Sequence, residues 1–357
     1  MNRLVLVLAP LFILACGPPV QPRVCTADSY PVDSYATNAA AELELRARFE
    51  TLAGKMEDGA TLNAAELEAL FSAGTPSVRS ISTDAARLAV SEVFSLYSRA
   101  AGNAWVPVEP ATGNGGLYFG HVYSARGVDL GETMEKLVFS GAHLNEAARL
   151  MTDTATVADV DRMVALFGAS PGFPMDENAA VNPDVFAAKY AKKRTNPAAA
   201  TPGPYLAIKA AFMNARASVT GGSACAAERT VAFTQIRDQW ERALLGTAIN
   251  YLNSASNTLA RATPTEAEKA GALHQIGEAV GFLRGLQTLP SEHRIITSAQ
   301  LDQALTTLGG MTLAGSEAYR YVTQTSSTID RLGLAVSQIQ AARQFTPEEI
   351  ATFKASF

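Results

Sequence analysis

The sequence predicts an all-α protein, arranged as two helical bundles with a small irregular or hairpin insertion near residues 105–130. Three observations carry that expectation. Long stretches are rich in Ala, Leu and Glu, residues that cost little in a helix. Several of these stretches open on a Thr or Asn followed three residues later by an acid, the signature of a capping box. Eight of the 17 prolines fall into two glycine- and proline-rich breaks, so the helical text comes in blocks.

Taken in order, Ala39 to Met56 reads as the first helix, and Asn63-Ala64-Ala65-Glu66 opens a short second one. Thr83 or Asp84 can cap a helix running to about Ala101. Gly102 to Gly131 breaks the pattern, and within it Leu117 to Tyr123 is the best strand candidate, as half of a small hairpin. Helix is expected again over Glu132 to Met151 and Val157 to Phe167. The break from Gly168 to Pro204 is long enough to be a connector. Within it, Lys192-Lys193-Arg194 reads as a solvated loop. After it come Tyr205 to Ser218, a long helix over about Glu228 to Ala260, and a helix opened by Thr265-Glu266-Ala267-Glu268 that ends near Pro290. Ser298 to Thr307 and Leu313 to Gln344 follow, and Thr346-Pro347-Glu348-Glu349 caps a last helix. The division expected is 39–170 for the first bundle, 171–204 for the connector and 205–357 for the second bundle. In the second, Leu244, Ile249, Leu252 and Leu259 share one helical side.

With 357 residues the chain exceeds a typical single domain. Hydrophobic residues at 48% and charged residues at 18% describe a body that buries a core. A formal charge of −5 argues against nucleic acid as a partner.

The N-terminus carries its own signal. Arg3, the apolar stretch Leu4 to Ala15, and Ile13-Leu14-Ala15-Cys16 resemble the leader and lipobox of bacterial lipoproteins. The resemblance implies that residues 1–15 are a signal peptide and that Cys16 becomes the acylated first residue of a tether over 16–38. Each buried methylene of such acyl chains contributes roughly 0.8 kcal/mol, so two or three chains anchor stably. Gly17 resembles the sorting pattern of lipoproteins passed to the outer membrane, facing the periplasm or the surface. The lipid would then be the membrane contact. The alternative is an ordinary secretory signal ending in cysteine. Cys25 and Cys225 remain, and an exported compartment permits a bridge between them; the alternative is two unpaired thiols.

Histidine is scarce: His121, His143, His274 and His293 are the only four. Two lie on expected helices with a glutamate one turn on, His143 with Glu146 at i,i+3 and His274 with Glu278 at i,i+4. Both spacings place the pair on one helical face. Helix bundles build core metal sites from such pairs on facing helices, and imidazole with carboxylate suits zinc, iron or manganese. The alternative for Glu146 is a salt bridge to Arg149, with His143 an ordinary core residue, and Glu278 could serve only a neighbouring helix. Trp105, Tyr118, Phe119 and Tyr123 could line a peptide or glycan cleft, or simply plug a bundle end.

Gly141-x-His143-x-x-Glu146 resembles the GxHxxE motif of imelysin-like proteins, exported all-helical proteins with two bundle halves. Glu135 to Ala142, Ala165-Leu166-Phe167-Gly168, Trp240-Glu241-Arg242-Ala243, Ile249 to Leu252 and Glu278 to Phe282 resemble a related group of bacterial lipoproteins. The resemblance implies an envelope binding protein that holds a divalent metal or iron and is linked to iron acquisition. This sequence departs from the pattern after Glu146, where Ala147-Ala148-Arg149 replaces a bulky apolar run. Two other readings stay open: an envelope interaction lipoprotein without metal, and a metallopeptidase. The second lacks the H-E-x-x-H motif that pairs two ligands with a general base, and no G-x-S-x-G elbow or phosphate loop is present.

Overall fold

The computed structural model describes residues 25–175, 183–199, 201–310 and 312–355. Cys16, the leader and the tether up to residue 24 lie outside the described residues, as does the proline-poor stretch 176–182 of the expected connector. Helix accounts for 66% of the structure and strand for 3%, so the fold is all-α. No helix among the described residues is long and apolar enough to cross a membrane.

Local chemistry sets the helix starts. Asn63, Thr156, Thr265, Thr297 and Thr346 each form a reciprocal capping box with the residue three positions on. Thr83 caps Asp84–Ala100 through the Ala86 N–H. Gly168, at φ 93°, stops Val157–Phe167 in the left-handed conformation that glycine adopts without a Cβ penalty.

The central element is the 34-residue helix Ala226–Leu259. Pro204–Gly221 precedes it and Glu266–Gln287 follows, each packed along its length. Fully buried Trp240 sits on it with its ring 4.9 Å from that of Phe167. One continuous cluster of buried side chains includes Leu45 and Phe94 from the N-terminal half and Leu273 and Leu332 from the C-terminal half. Each large apolar side chain buried there contributes about 1.5–3 kcal/mol relative to exposure.

Four stretches fold differently from the sequence reading. Leu117 to Tyr123 is not one strand: β1 (Gly115–Tyr118) and β2 (His121–Ser124) pair antiparallel, and the turn falls inside that stretch at Phe119 (φ 46°) and Gly120 (φ 91°). Positive φ at both central positions is the type I′ hairpin turn, and glycine supplies one of them. Glu132 to Met151 is not one regular helix, because Phe139–His143 forms a π-helical turn between Leu130–Val138 and Leu144–Leu150. Leu313 to Gln344 breaks into Arg320–Thr323, Thr325–Thr328 and Asp330–Arg343, since the Thr/Ser run at 323–328 bonds its hydroxyls to local carbonyls. Lys192-Lys193-Arg194 is not a solvated loop: it ends the helix Phe186–Lys193, with Lys192 paired to Asp184 at 2.5 Å and Arg194 buried.

The N-terminal segment is fixed at two points. Cys25 and Cys225 form a disulfide, Cα atoms 5.6 Å apart, just before the long helix begins. Further on, the buried Asp161 carboxylate accepts from Tyr30 Oη (2.5 Å), Asn38 Nδ2 (2.7 Å) and Arg216 Nε (3.2 Å). These bonds tie residues 30–38 to the helices Val157–Phe167 and Pro204–Gly221.

Candidate functional site

Two helices that carry no histidine pair between them in sequence meet at unusually short range. Along Glu266–Gln287, Gly277, Gly281 and Gly285 recur every four residues and form one edge of the helix. A Cβ at Gly281 would stand 2.7 Å from Lys136 Cβ and 2.9 Å from the Thr133 carbonyl oxygen. At Gly277 it would meet Asp129 Cβ at 2.9 Å, and at Gly285 it would meet Ser140 Cβ at 2.6 Å. The missing side chains let the helix Leu130–Val138 and its π-helical extension lie directly on this edge. The close approach brings charged groups of both helices together.

Asp129 is the hub. It caps the helix Leu130–Val138 with Oδ1, which accepts from the Glu132 N–H at 3.2 Å. Its Oδ2 lies 3.1 Å from His274 Nδ1 and 3.2 Å from His121 Nδ1. His121 arrives from the start of β2, and the two imidazole rings stand 4.3 Å apart. On its other side His274 Nε2 is 3.4 Å from Glu278 Oε2, one turn along the same helix. Lys136, only 2% exposed, contacts Glu132 and Glu135 and lies 3.2 Å from Glu278 Oε1. Glu132, Glu135, Lys136, His274 and Glu278 open on a polar cleft of about 330 Å³, with Tyr190 and Tyr251 as its aromatic wall.

The electrostatics follow from burial with partners. Burial alone would raise the Asp129 carboxyl, but hydrogen bonds from His121 and His274 outweigh it and hold the pKa at about 2. For His274 burial works against the charged form, yet the Asp129 hydrogen bond and the Glu278 charge lift it to about 9. Glu132 is raised by burial to about 7; Lys136 opposes the rise, and the Glu278 and Asp129 charges add to it. Burial opposes the charge on Lys136 as well, but the surrounding carboxylates hold its pKa well above the ordinary lysine value. Among the described residues, His121, Glu132 and His274 each offer a ligand atom within 4.8 Å of the other two. The donor set, two imidazoles and a carboxylate, fits a borderline transition-metal ion. Asp129 supplies what such sites need outside the ligands, a carboxylate that receives the second ring N–H of each histidine.

The residues singled out by helical spacing are divided by the structure. His274 and Glu278 belong to this cluster. His143 does not: it is fully buried in the π-helical turn, with Phe49 and Phe186 edge-on at 5.4 and 5.2 Å. Neither ring nitrogen makes a side-chain hydrogen bond of ordinary geometry. Burial, reinforced by the Arg46 charge, pushes its pKa down to about 3, so the ring is neutral. Glu146 is half-buried and meets Arg149 at 3.4 Å and Arg162 at 3.7 Å, the salt-bridge alternative. Gly141 packs against Gly285 and Thr288, and eleven residues at 1.5 Å rise put that level roughly 16 Å along the helix from His274. The two His–Glu pairs therefore do not share a site. Trp105, Tyr118 and Tyr123 pack on one another at 5.3–6.1 Å as buried core, and Phe119 is exposed at the turn.

Helical spacing missed His121, Asp129, Glu132 and Lys136. A signal for part of the cluster stands in the sequence: Asp129 precedes Glu132 by three and Glu132 precedes Lys136 by four, a helix cap and an i,i+4 pair. The pairing across helices has its own trace in the Gly277, Gly281, Gly285 repeat. No family model, no curated protein and no solved structure matches the chain.

Proposed function

We propose that this protein is a lipid-anchored binding protein of the bacterial envelope, held at the outer membrane through Cys16, whose ligand is a divalent transition-metal ion. The observation that supports the metal is the triplet His121, Glu132 and His274, whose ligand atoms lie within 4.8 Å of one another behind a shared Asp129. These three residues would hold the ion, and Glu278 stands ready as a fourth donor beside His274 Nε2. Zinc, iron and manganese all accept such a set. The imelysin-like resemblance, with its link to iron acquisition, supports iron among them, although its motif residues His143 and Glu146 stand outside the triplet.

The charge arrangement gives the reading a chemical consequence. His274 carries a proton up to about pH 9, and a metal ligand must be neutral. Binding at neutral pH would therefore expel that proton. Lys136 and Glu135 line the same cleft beside these donors.

Titration calorimetry on the purified protein, run with zinc, manganese and ferrous ion in two buffers of different ionisation enthalpy, tests the proposal. Saturable binding is expected with net proton release. His274→Ala and His121→Ala should each weaken it by about ten- to a hundred-fold or more. Unchanged affinity in His274→Ala would remove the site.

A further inference from the structure

Exposed apolar surface gathers at the β1–β2 hairpin. Of the nine large apolar side chains exposed among the described residues, four (Val106, Val108, Leu117 and Phe119) fall within fourteen residues of chain. Residues 103–105 lie against β1: the Leu117 N–H donates to the Asn103 carbonyl at 2.7 Å, and the Trp105 N–H to the Leu117 carbonyl at 3.0 Å. Strand alternation turns Trp105 and Tyr118 inward and leaves Val106, Leu117 and Phe119 in water. The mount is firm, since Tyr118 Oη donates to Glu266 Oε2 at 2.7 Å and Tyr123 Oη to the Ala270 carbonyl at 2.8 Å. From Asn103 to Ser124 the one Asp, Glu, Lys or Arg is Glu109, already 3.4 Å from Arg320.

Phe119 stands out among the four. It is 57% exposed at the hairpin tip with φ 46°, in a turn position that Asn, Asp or Gly fills with less strain. A strained backbone that holds a large aromatic ring out to solvent does nothing for the core, and such strain collects where a protein meets its partners. The size of the patch narrows the partner. Its four side chains present roughly 400 Å² of apolar surface, an area often functional on a monomer. That is about half of the ~800 Å² each side contributes to a stable protein interface. A second copy or a folded partner would therefore be held by an undersized contact. A bilayer sets no such minimum, because each apolar side chain gains separately by leaving water.

We propose that the hairpin tip inserts Phe119, with Val106 and Leu117 beside it, into the membrane that holds the Cys16 acyl chains. The reach of the chain permits it. Nine residues lead from Cys16 to Cys25, roughly 30 Å when extended. The hairpin packs on the start of Glu266–Gln287, at the end of Ala226–Leu259 remote from the bridge and roughly 50 Å along that helix from it. A body whose bridge end is kept that close can lie with its longest helix along the membrane and the tip at the surface. The protein then has two attachments, the lipid at one end of that helix and the hairpin at the other. This proposal rests on acylation of Cys16 and is independent of the metal.

The test uses the full-length protein, reconstituted through its acyl chains into phosphatidylcholine vesicles and labelled at Val106→Cys with a fluorophore. The native pair cannot compete for the label, because Cys25 and Cys225 are bridged. Lipids carrying a nitroxide on the acyl chain should quench the dye strongly. A label at Leu88→Cys, exposed on the helix Asp84–Ala100, should not be quenched. Adding Phe119→Ser to Val106→Cys should lower the ratio of inserted to free hairpin by about ten-fold, as expected when one large apolar side chain no longer leaves water. Phosphatidylglycerol vesicles should give the same result, since the tip carries almost no charge. The mass of the mature N-terminal peptide reads acylation separately. An unmodified Cys16 would remove the anchor, whereas a dye left in water above an acylated Cys16 would overturn the hairpin contact alone. Equal quenching at Leu88 would mean adsorption of the whole body, and energy transfer between labelled copies would assign the patch to a second copy. Either result would overturn the proposal.

Discussion

The segment around His143 and the cluster around His274 contain the same residue types at nearly the same helical spacing, yet they have opposite fates. His143 faces Phe49 and Phe186 on a helix surface that the core closes over. His274 faces a neighbouring helix whose Asp129, Glu132 and Lys136 are pressed against it by three missing side chains. A pair one turn apart fixes only which residues share a face. What that face meets is decided by the packing partner, and here glycine decides it.

That contrast can be broken most severely at Lys136. Replacing it with Met leaves buried Glu132 and Glu278 and half-buried Glu135 with only the His274 imidazolium among them, and we expect about 3–5 kcal/mol of lost stability, read from the urea midpoint. A loss under about 1 kcal/mol would mean that the carboxylates are already neutral or solvated. Next in size is Gly281→Val, which pushes methyl groups into Lys136 and the Thr133 carbonyl; overpacking there should cost about 1–3 kcal/mol. Its control is Gly271→Ala on the same helix, where an added Cβ meets nothing within 4 Å and the change should be neutral or mildly stabilising. Equal effects at the two glycines would show that the edge is not what holds the helices together. The smallest effect belongs to His143→Leu. It removes a buried imidazole whose one polar partner is a loose contact with the Leu166 backbone, so stability should stay within about 1 kcal/mol of wild type. Metal affinity should not change. A loss of metal binding in His143→Leu would return the motif to the functional site.

The helical character of the chain was legible because it is local. Capping boxes at Asn63, Thr265 and Thr346 are contained in four residues each, and all three form as read. The irregularities were not legible for the same reason in reverse. The π-helical turn at Phe139–His143 lies where Gly141 packs against Gly285, more than a hundred residues away. The strand reading over Leu117 to Tyr123 counted β-formers and passed over Gly120, the residue that allows the chain to reverse there. At the site, His274 and Glu278 could be found from one helix, whereas His121 and Asp129 enter from a strand and a helix cap and carry no common period with them.

The disulfide has a mechanical meaning. Cys25 precedes Tyr30 and Asn38, so any tension on the chain ahead of Cys25 reaches the bridge first. The load passes through a covalent bond to Cys225 and along the axis of the helix Ala226–Leu259, which hydrogen bonds parallel to its axis resist well. The polar contacts around Asp161 are left slack and are not peeled open one by one. From the start of that helix to Tyr251 at the cleft is roughly 38 Å at 1.5 Å per residue. A pull ahead of Cys25 would thus enter the body at the bridge, with the cleft well along the helix from it.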